Sequence, residues 1–407
     1  MSTRHGSGWL VGLLLTTFVI GTDDFIIAGI LPRISGDLEV SAGTAGQLVT
    51  VFSIVYAVAC PVLAVATRRV PRKALIVGGL AVFAVVNFGT ALASSFGMLM
   101  ILRVLAALVA ATLSPAAFAV AGRLAAPERT GRAIGTVAAG LTLSLVVGVP
   151  FGSWLSGLAG WEATFLAVGA FTCVAIAITA LTLPRIPQTQ VAGVAERLRL
   201  LRQPPVLLCV LGTTLAAVGG LMPYIYMAPI VHDFTAIGSQ YVGVFIAIVG
   251  VSGAAGTVLG GRLTDHWGVD RTLLAAFGGV AAAALVLMLI GVLGHGAAPV
   301  WLVGIAFVLW GVPGWANNPP MNARAMHMGG DAATEAVALN TSGIYAGIAL
   351  AGAIGGGTVD AFGGVGVLVV ACTVGLITIT VMALSVRRYP AAKRPAGGAA
   401  SEKVVAR

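Results

Sequence analysis

Apolar runs of about twenty residues recur from one end of the chain to the other, separated by short polar, glycine- or proline-containing breaks. About twenty apolar residues wound as a helix cross a hydrocarbon core of roughly 30 Å, so each run predicts a transmembrane helix. Twelve are legible: Trp9 to Leu31, Thr44 to Ala66, Ala74 to Ser94, Met98 to Gly122, Ala133 to Ser156, Ala163 to Leu183, Pro205 to Pro229, Tyr241 to Gly260, Thr272 to Leu293, Val300 to Pro320, Ala336 to Val359 and Gly364 to Val386. The pattern predicts an all-α membrane protein. The first run follows Arg4 and His5, as a signal peptide would, but it is too long for an h-region and lacks a small-x-small cleavage site. It is expected to remain as helix 1.

Composition supports this reading: of 407 residues, 58% are hydrophobic and 9% charged, with a mean hydropathy of +1.01, against roughly a quarter charged in soluble domains. The net charge of +9 is explained by where the basic residues fall. Lys and Arg are retained on the cytoplasmic side during insertion. With the N-terminus inside, 21 of the 23 basic residues lie in inner loops or the tail, leaving Arg33 outside and Arg103 within a span. Both termini are therefore expected in the cytoplasm. Basicity spread over short loops and a tail, rather than gathered on one face, does not point to nucleic acid. Cys60, Cys173, Cys209 and Cys372 all fall in apolar runs without C-x-x-C spacing, and they read as small packing residues rather than disulfides or metal ligands.

The longest polar interruption before residue 390 is Pro184 to Pro204. It divides the chain into an N-terminal six-helix half (1–183), a cytoplasmic linker (184–204), a C-terminal six-helix half (205–388) and a tail (389–407) whose Ala, Gly, Pro and basic content predicts disorder. Within the linker, Val194 to Arg202 reads either as an amphipathic helix on the inner leaflet or as a solvated strand of linker. Two loop stretches, Ala64 to Lys73 after helix 2 and Gly261 to Asp270 after helix 8, occupy the same place in each half, as in transporters built from parallel six-helix repeats. Glycine is abundant, at 55 residues. Gly343, Gly347, Ala351 and Gly355 form a smooth stripe along helix 11, suited to close helix contact in lipid.

These loops also carry a resemblance. Gly261-x-Leu263-x-Asp265-x-x-Gly268 resembles the G-x-L-a-D-R-x-G-R-K loop of the major facilitator superfamily, and Arg103, in Leu102-Arg103-Val104-Leu105, is similar to its intramembrane arginine. Gly148-Val149-Pro150-Phe151-Gly152 resembles the antiporter motif of helix 5. Gly160-Trp161-Glu162-Ala163-Thr164-Phe165 resembles the opening of helix 6, and Gly21 to Pro32 resembles helix 1 of twelve-helix bacterial drug:proton antiporters near the chloramphenicol-resistance and arabinose-efflux permeases. The resemblance spans nearly the whole chain and implies the major facilitator fold. It also implies gating roles for Gly148, Pro150 and Gly152, and for Gly261 with an Asp265 to Arg262 or Arg271 latch. The sequence departs from the pattern at Arg68, where an acid is usual, at Pro71 in place of a glycine and at Glu162 in place of an arginine.

Asp23 and Asp24 are the acids that fall inside a predicted span, where an ionised group costs about 2.5–3.5 kcal/mol on insertion scales. Adjacent helical positions diverge by about 100°, so one of the two is expected to face a central cavity, and the resemblance favours Asp24. A structural carboxylate bonded to hydroxyls such as Thr22 is the other reading. Arg103, always protonated, reads as a counter-charge to a proton-carrying acid or as a static anchor between helices. Phe25, Tyr56, Phe118, Tyr224, Tyr226, Phe245, Asn317, Asn340 and Tyr345 would line an aromatic wall suited to lipophilic ligands, although each taken singly reads more readily as ordinary packing. His5, His232, His266, His295 and His327 lie in loops or near helix ends and assemble no metal cluster or nucleophile triad. No Walker loop is present in the sequence. No cofactor is expected, and energy is expected from a proton gradient.

The sequence thus predicts a proton-coupled efflux antiporter for small amphiphilic compounds, working as a monomer by alternating access in a bacterial inner membrane. The bacterial assignment rests partly on 20 Arg against 3 Lys, which suggests a GC-rich genome. A sugar, nucleoside or amino-acid transporter of the same fold is the alternative, and an integral-membrane enzyme is disfavoured by the lack of a catalytic cluster.

Overall fold

The computed structural model describes residues 8–126, 129–184, 186, 199–238, 241–294 and 296–391. Regular structure among these residues is helical throughout. The first half comprises α1 (Gly8–Asp37), α2 (Ala42–Ala66), α3 (Arg72–Ala91), α4 (Phe96–Leu124), α5 and α6 (Trp161–Thr182). Helix α5 joins Thr130–Leu143, a π-helical turn Ser144–Gly148 and Val149–Ala159. The second half begins with α7, made of Pro204–Ile225 and Met227–Thr235 on either side of Tyr226, and continues with α8 (Val242–Trp267) and α9 (Val269–Gly294). Helix α10 joins Val300–Ala316 and Asn318–Gly329. The segment Ala333–Arg388 is broken at Gly363 (φ 63, ψ -163), with α11 before that residue and α12 after it. Gly363 and Gly160 (φ 86) turn the chain between the fifth and sixth helix of each half, in a region of φ that side chains with a Cβ rarely adopt. The tail from 392 and most of the Val194 to Arg202 stretch lie outside the described residues.

Local chemistry sets the helix ends. Ser41 and Ser95 cap α2 and α4 by accepting from the amides of Thr44 (3.0 Å) and Met98 (3.3 Å), as N-cap hydroxyls do. Two helices outrun the apolar pattern. Helix α1 continues through Pro32 to Asp37, and α10 continues past Pro320 to Gly329, because a helix leaving the hydrocarbon need not stop where its apolar run stops. Large apolar side chains such as Val58, Ile101, Leu181 and Trp301 are exposed on the perimeter, as a lipid solvent requires. Polar groups turn inward, and the hydroxyls of Thr16 and Thr172 are spent on carbonyls one turn back, Gly12 (2.8 Å) and Val168 (2.7 Å).

The halves meet along α2 with α11, α5 with α8, and α1 with α7. Helix α11 uses two adjacent faces of small residues. Gly343, Gly347 and Gly355, of the predicted stripe, abut α7 at Val210, Thr214, Ala217 and Met222, whereas Gly352 and Gly356 abut α2 at Thr50 and Gly43. This second crossing closes the end of the bundle where α1 passes into α2. There Asp360 on α11 accepts from Ser41 Oγ (2.7 Å) and the Gly43 amide (2.9 Å), and Tyr226 donates to the Gly352 carbonyl (2.6 Å).

Candidate functional site

Helix α1 carries Asp23 and Asp24 at mid-length, and the helical rotation between them separates their surroundings. Asp23 turns into its own half. Arg103 Nη1, from α4, donates to its Oδ2 (2.9 Å) and to its backbone carbonyl (3.0 Å), and the guanidinium carbon lies 4.4 Å from the centre of the Phe52 ring. Both members of the pair are buried. Arg103 Nε and Nη2 have no hydrogen-bond partner among the described residues, so the aromatic face is what attends them. Asp23 and Arg103 therefore neutralise each other, which leaves Asp24 as the carboxyl without a cationic partner in hydrogen-bond contact.

Asp24 turns the other way, towards the second half. Its Oδ2 accepts from the hydroxyl of Tyr345 on α11 at 3.0 Å. The Tyr345 ring is held against Tyr56 of α2, with centroids 3.7 Å apart and planes 18° apart, and Phe52 stacks on Tyr56 at 6.3 Å. Asp24, Phe25, Ala28, Val49, Tyr224 and Ile348 are among the residues around a small cavity where α1, α2, α7 and α11 converge. The space open to the centre of a water molecule there is about 10 Å³, room for about one water. Phe25 and Tyr224 meet edge to face at 5.9 Å, and Tyr224 packs on Trp315 at 6.3 Å. The Tyr224 hydroxyl, buried, has no partner among the described residues.

Of the wall residues named from sequence, Phe25, Tyr56, Tyr224 and Tyr345 gather at Asp24. The others are elsewhere. Phe118 packs on the core of the first half, Tyr226 sits in the α2–α11 closure, and Phe245 packs on Phe307 at 5.8 Å. Asn317 donates to the Gly314 carbonyl at the break in α10 (2.6 Å), and Asn340 accepts from Thr213 (2.5 Å).

The residues expected to gate divide similarly. Gly148 ends the π-helical turn of α5 against Thr22, and a side chain there would collide with its hydroxyl. Pro150 opens the following helix, and Gly152 packs on Ile26 while its carbonyl accepts from Thr164 (2.8 Å). Gly261 faces open space. Asp265 and Arg271 are exposed, and neither belongs to an ion pair among the described residues. The ion pair in this region joins Asp270 at the start of α9 to Arg324 in the extended part of α10. Arg324 also donates to Ser385 Oγ (3.0 Å) and the Tyr389 carbonyl (2.9 Å), and Asp270 accepts from the Ala391 amide (2.7 Å). His232 and His266 lie near helix ends and His327 on the last turns of α10, while His5 and His295 are outside the described residues.

Sequence reasoning missed Asp360, which lies one residue past the predicted end of helix 11, and Arg324, which was placed in a loop. The signal available in the sequence was the four-residue spacing of Gly352, Gly356 and Asp360, which puts the carboxylate on the same helical face as the two glycines.

The comparisons follow this geometry. The Major Facilitator Superfamily model matches residues 13–334. A chloramphenicol efflux pump of Mycobacterium tuberculosis is 31% identical over 348 residues, covering 85% of this chain and 84% of that protein. The inner membrane transport protein YdhP of Escherichia coli (strain K12) is 27% identical over 384 residues, 94% and 96% of the two chains. Among solved structures, an inward-facing, unoccupied bacterial homologue of the human lysosomal transporter Spinster superposes with a TM-score of 0.75 at 18% identity, covering 97% and 100% of the two chains. The nucleoside transporter NupG gives 0.75 at 11% identity, covering 93% and 99%.

Proposed function

The chain belongs to the Major Facilitator Superfamily and is a multi-pass membrane transporter, not an enzyme, and we propose that it is a proton-coupled efflux antiporter for small amphiphilic compounds. The observation that carries the reading is Asp24: a carboxyl at mid-membrane, on the surface where the two halves meet, whose neighbour Asp23 is already neutralised by Arg103. An ionised carboxylate is costly in a dry cavity, so enclosing Asp24 from both sides, as the carrier must between its inward- and outward-open forms, favours a bound proton, and opening to water on either side lets the proton leave. Proton and substrate then compete for one group, and exchange follows without a nucleotide or cofactor.

The cavity has room for about one water in this conformation, but the chemistry of its lining suits an amphiphilic cargo once the halves part. Phe25 and Tyr224 offer aromatic faces, with Trp315 packed on Tyr224, while Asp24 and the unspent hydroxyl of Tyr224 offer few polar contacts. The relative named as a chloramphenicol efflux pump, alike over most of both chains, favours outward transport of such compounds over uptake of sugars or nucleosides. The basic residues of the loops favour cytoplasmic termini, and on that orientation the α2–α11 closure lies on the outer side. The chain is expected to work as a monomer in a bacterial inner membrane.

The test is reconstitution with radiolabelled chloramphenicol as probe and an imposed proton gradient. Gradient-driven accumulation is expected in the unaltered protein and a loss of at least tenfold in Asp24→Asn, with a smaller loss in Asp23→Asn. No gradient-driven flux of chloramphenicol or of other amphiphiles by the unaltered protein, or normal flux by Asp24→Asn, would overturn it.

A further inference from the structure

An exchanger needs a rule that lets it reorient with a proton or with cargo but not with neither. The cost of enclosing an ionised Asp24 slows the empty carrier, but a lone carboxyl does not fix the two halves to each other. The contact between Asp24 and Tyr345 supplies what is missing. Asp24 belongs to the first half, on α1, and Tyr345 to the second, on α11. The Tyr345 hydroxyl donates across the boundary to Asp24 Oδ2 at 3.0 Å. Tyr345 cannot easily swing away, because its ring lies flat on Tyr56 at 3.7 Å and Gly343 and Gly347 hold its helix close against α7. The charged and titratable groups around Asp24 are Asp23 on its own helix, Arg103 from α4, Tyr56 from α2, Tyr224 from α7 and Tyr345 from α11. Arg103 is engaged by Asp23, and Tyr345 is the group whose hydrogen bond reaches Asp24.

We infer that Tyr345 is the positioning residue that makes exchange obligatory: its hydroxyl ties the second half to ionised Asp24, and either a proton on Asp24 or cargo displacing the hydroxyl releases the tie. This rests on the reading of Asp24 as the proton site. A hydrogen bond to a charged acceptor is roughly twice as strong as one between neutral partners, so an added proton on Asp24 weakens the tie without changing the distance between the groups. The proton sits on the carboxyl and no bond to Tyr345 is made or broken covalently. The ionised, unloaded carrier is the one species held shut, and it is the species whose movement would dissipate the gradient.

The test reads conformation and so does not depend on the cargo. Glu39→Cys and Phe362→Cys, both exposed and on either side of the α2–α11 closure, carry spin labels in a protein whose four native cysteines are replaced, and the distance distribution is recorded at pH 8 and pH 5. The parent protein is expected to be mainly closed at pH 8 with a larger open fraction at pH 5. Tyr345→Phe, which keeps the ring stack, is expected to show at pH 8 the open fraction of the parent at pH 5. Asp24→Asn is expected to show that same fraction at both pH values. Equal detergent-monodisperse yield and melting temperature establish that each variant is folded, and Tyr345→Met, which likewise lacks a donor, serves where Tyr345→Phe is not. If Asp24→Asn still responds to pH, the proton site is elsewhere and the underlying reading fails. If Asp24→Asn loses the response but Tyr345→Phe is as closed at pH 8 as the parent, the reading stands and this inference is overturned.

Discussion

At the scale of single residues, the pair Asp23 and Arg103 shows how neighbours one helical step apart take different tasks. Both are buried, and two arginine nitrogens lack hydrogen-bond partners among the described residues, so the pair stands on mutual charge, the hydrogen bonds of Nη1 to the Asp23 carboxylate and carbonyl, and the Phe52 face. Removing one partner of a buried ion pair costs about 3–5 kcal/mol, whereas replacing both by apolar groups is often close to neutral. Arg103→Met should therefore lower the melting temperature and the membrane abundance, and Asp23→Leu with Arg103→Met should recover most of the loss. A double variant no better than the single one would show that Arg103 acts on Asp24 or on cargo rather than as an anchor. The sequence alone exposed both acids and the arginine, since charges stand out in apolar runs. It did not show that the arginine pairs with Asp23, because both acids lie on the same turn and spacing cannot tell which one faces α4.

At the scale of helices, the spans were legible and their faces were not. Each span is apolar all round, since lipid and bundle interior are both apolar, so no amphipathic stripe announces which side meets a neighbour. The glycine stripe was the exception, yet it marked the contact with α7, and the α2–α11 crossing came from Gly352 and Gly356 beside it. The end of α10 was illegible for the opposite reason. Arg324 is polar enough to read as loop, but it is fully buried, with its two terminal nitrogens engaged by Asp270, Ser385 and the Tyr389 carbonyl. The glycines of α2 carry a prediction. A Cβ at Gly46 would collide with the Tyr226 hydroxyl, so Gly46→Val should loosen the closed end. In a cysteine-replaced background, a thiol introduced at Val49 in the cavity wall should react severalfold faster with a membrane-impermeant reagent. An unchanged rate would mean that this crossing does not seal the cavity.

At the scale of the molecule, orientation and closure are linked: the basic loops predict cytoplasmic termini, and on that orientation the Asp360 closure is external. Reporter fusions at both termini are expected to read cytoplasmic, and a terminus on the outer side would invert the assignment of the closed end. Alternating access further requires that this closure open once per cycle. The Ser41 hydroxyl and the Asp360 carboxylate are 2.7 Å apart, close enough for Ser41→Cys with Asp360→Cys to be bridged after the native cysteines are replaced. Oxidation should then hold the outer end shut and stop gradient-driven flux, reductant should restore it, and each single cysteine variant should be indifferent to oxidant. Binding of the probe from the inner side should survive in the bridged protein, because the cavity walls on α1 and α7 are left intact. Flux that continues while the bridge is fully formed would show that cargo leaves by a route other than separation of α2 from α11.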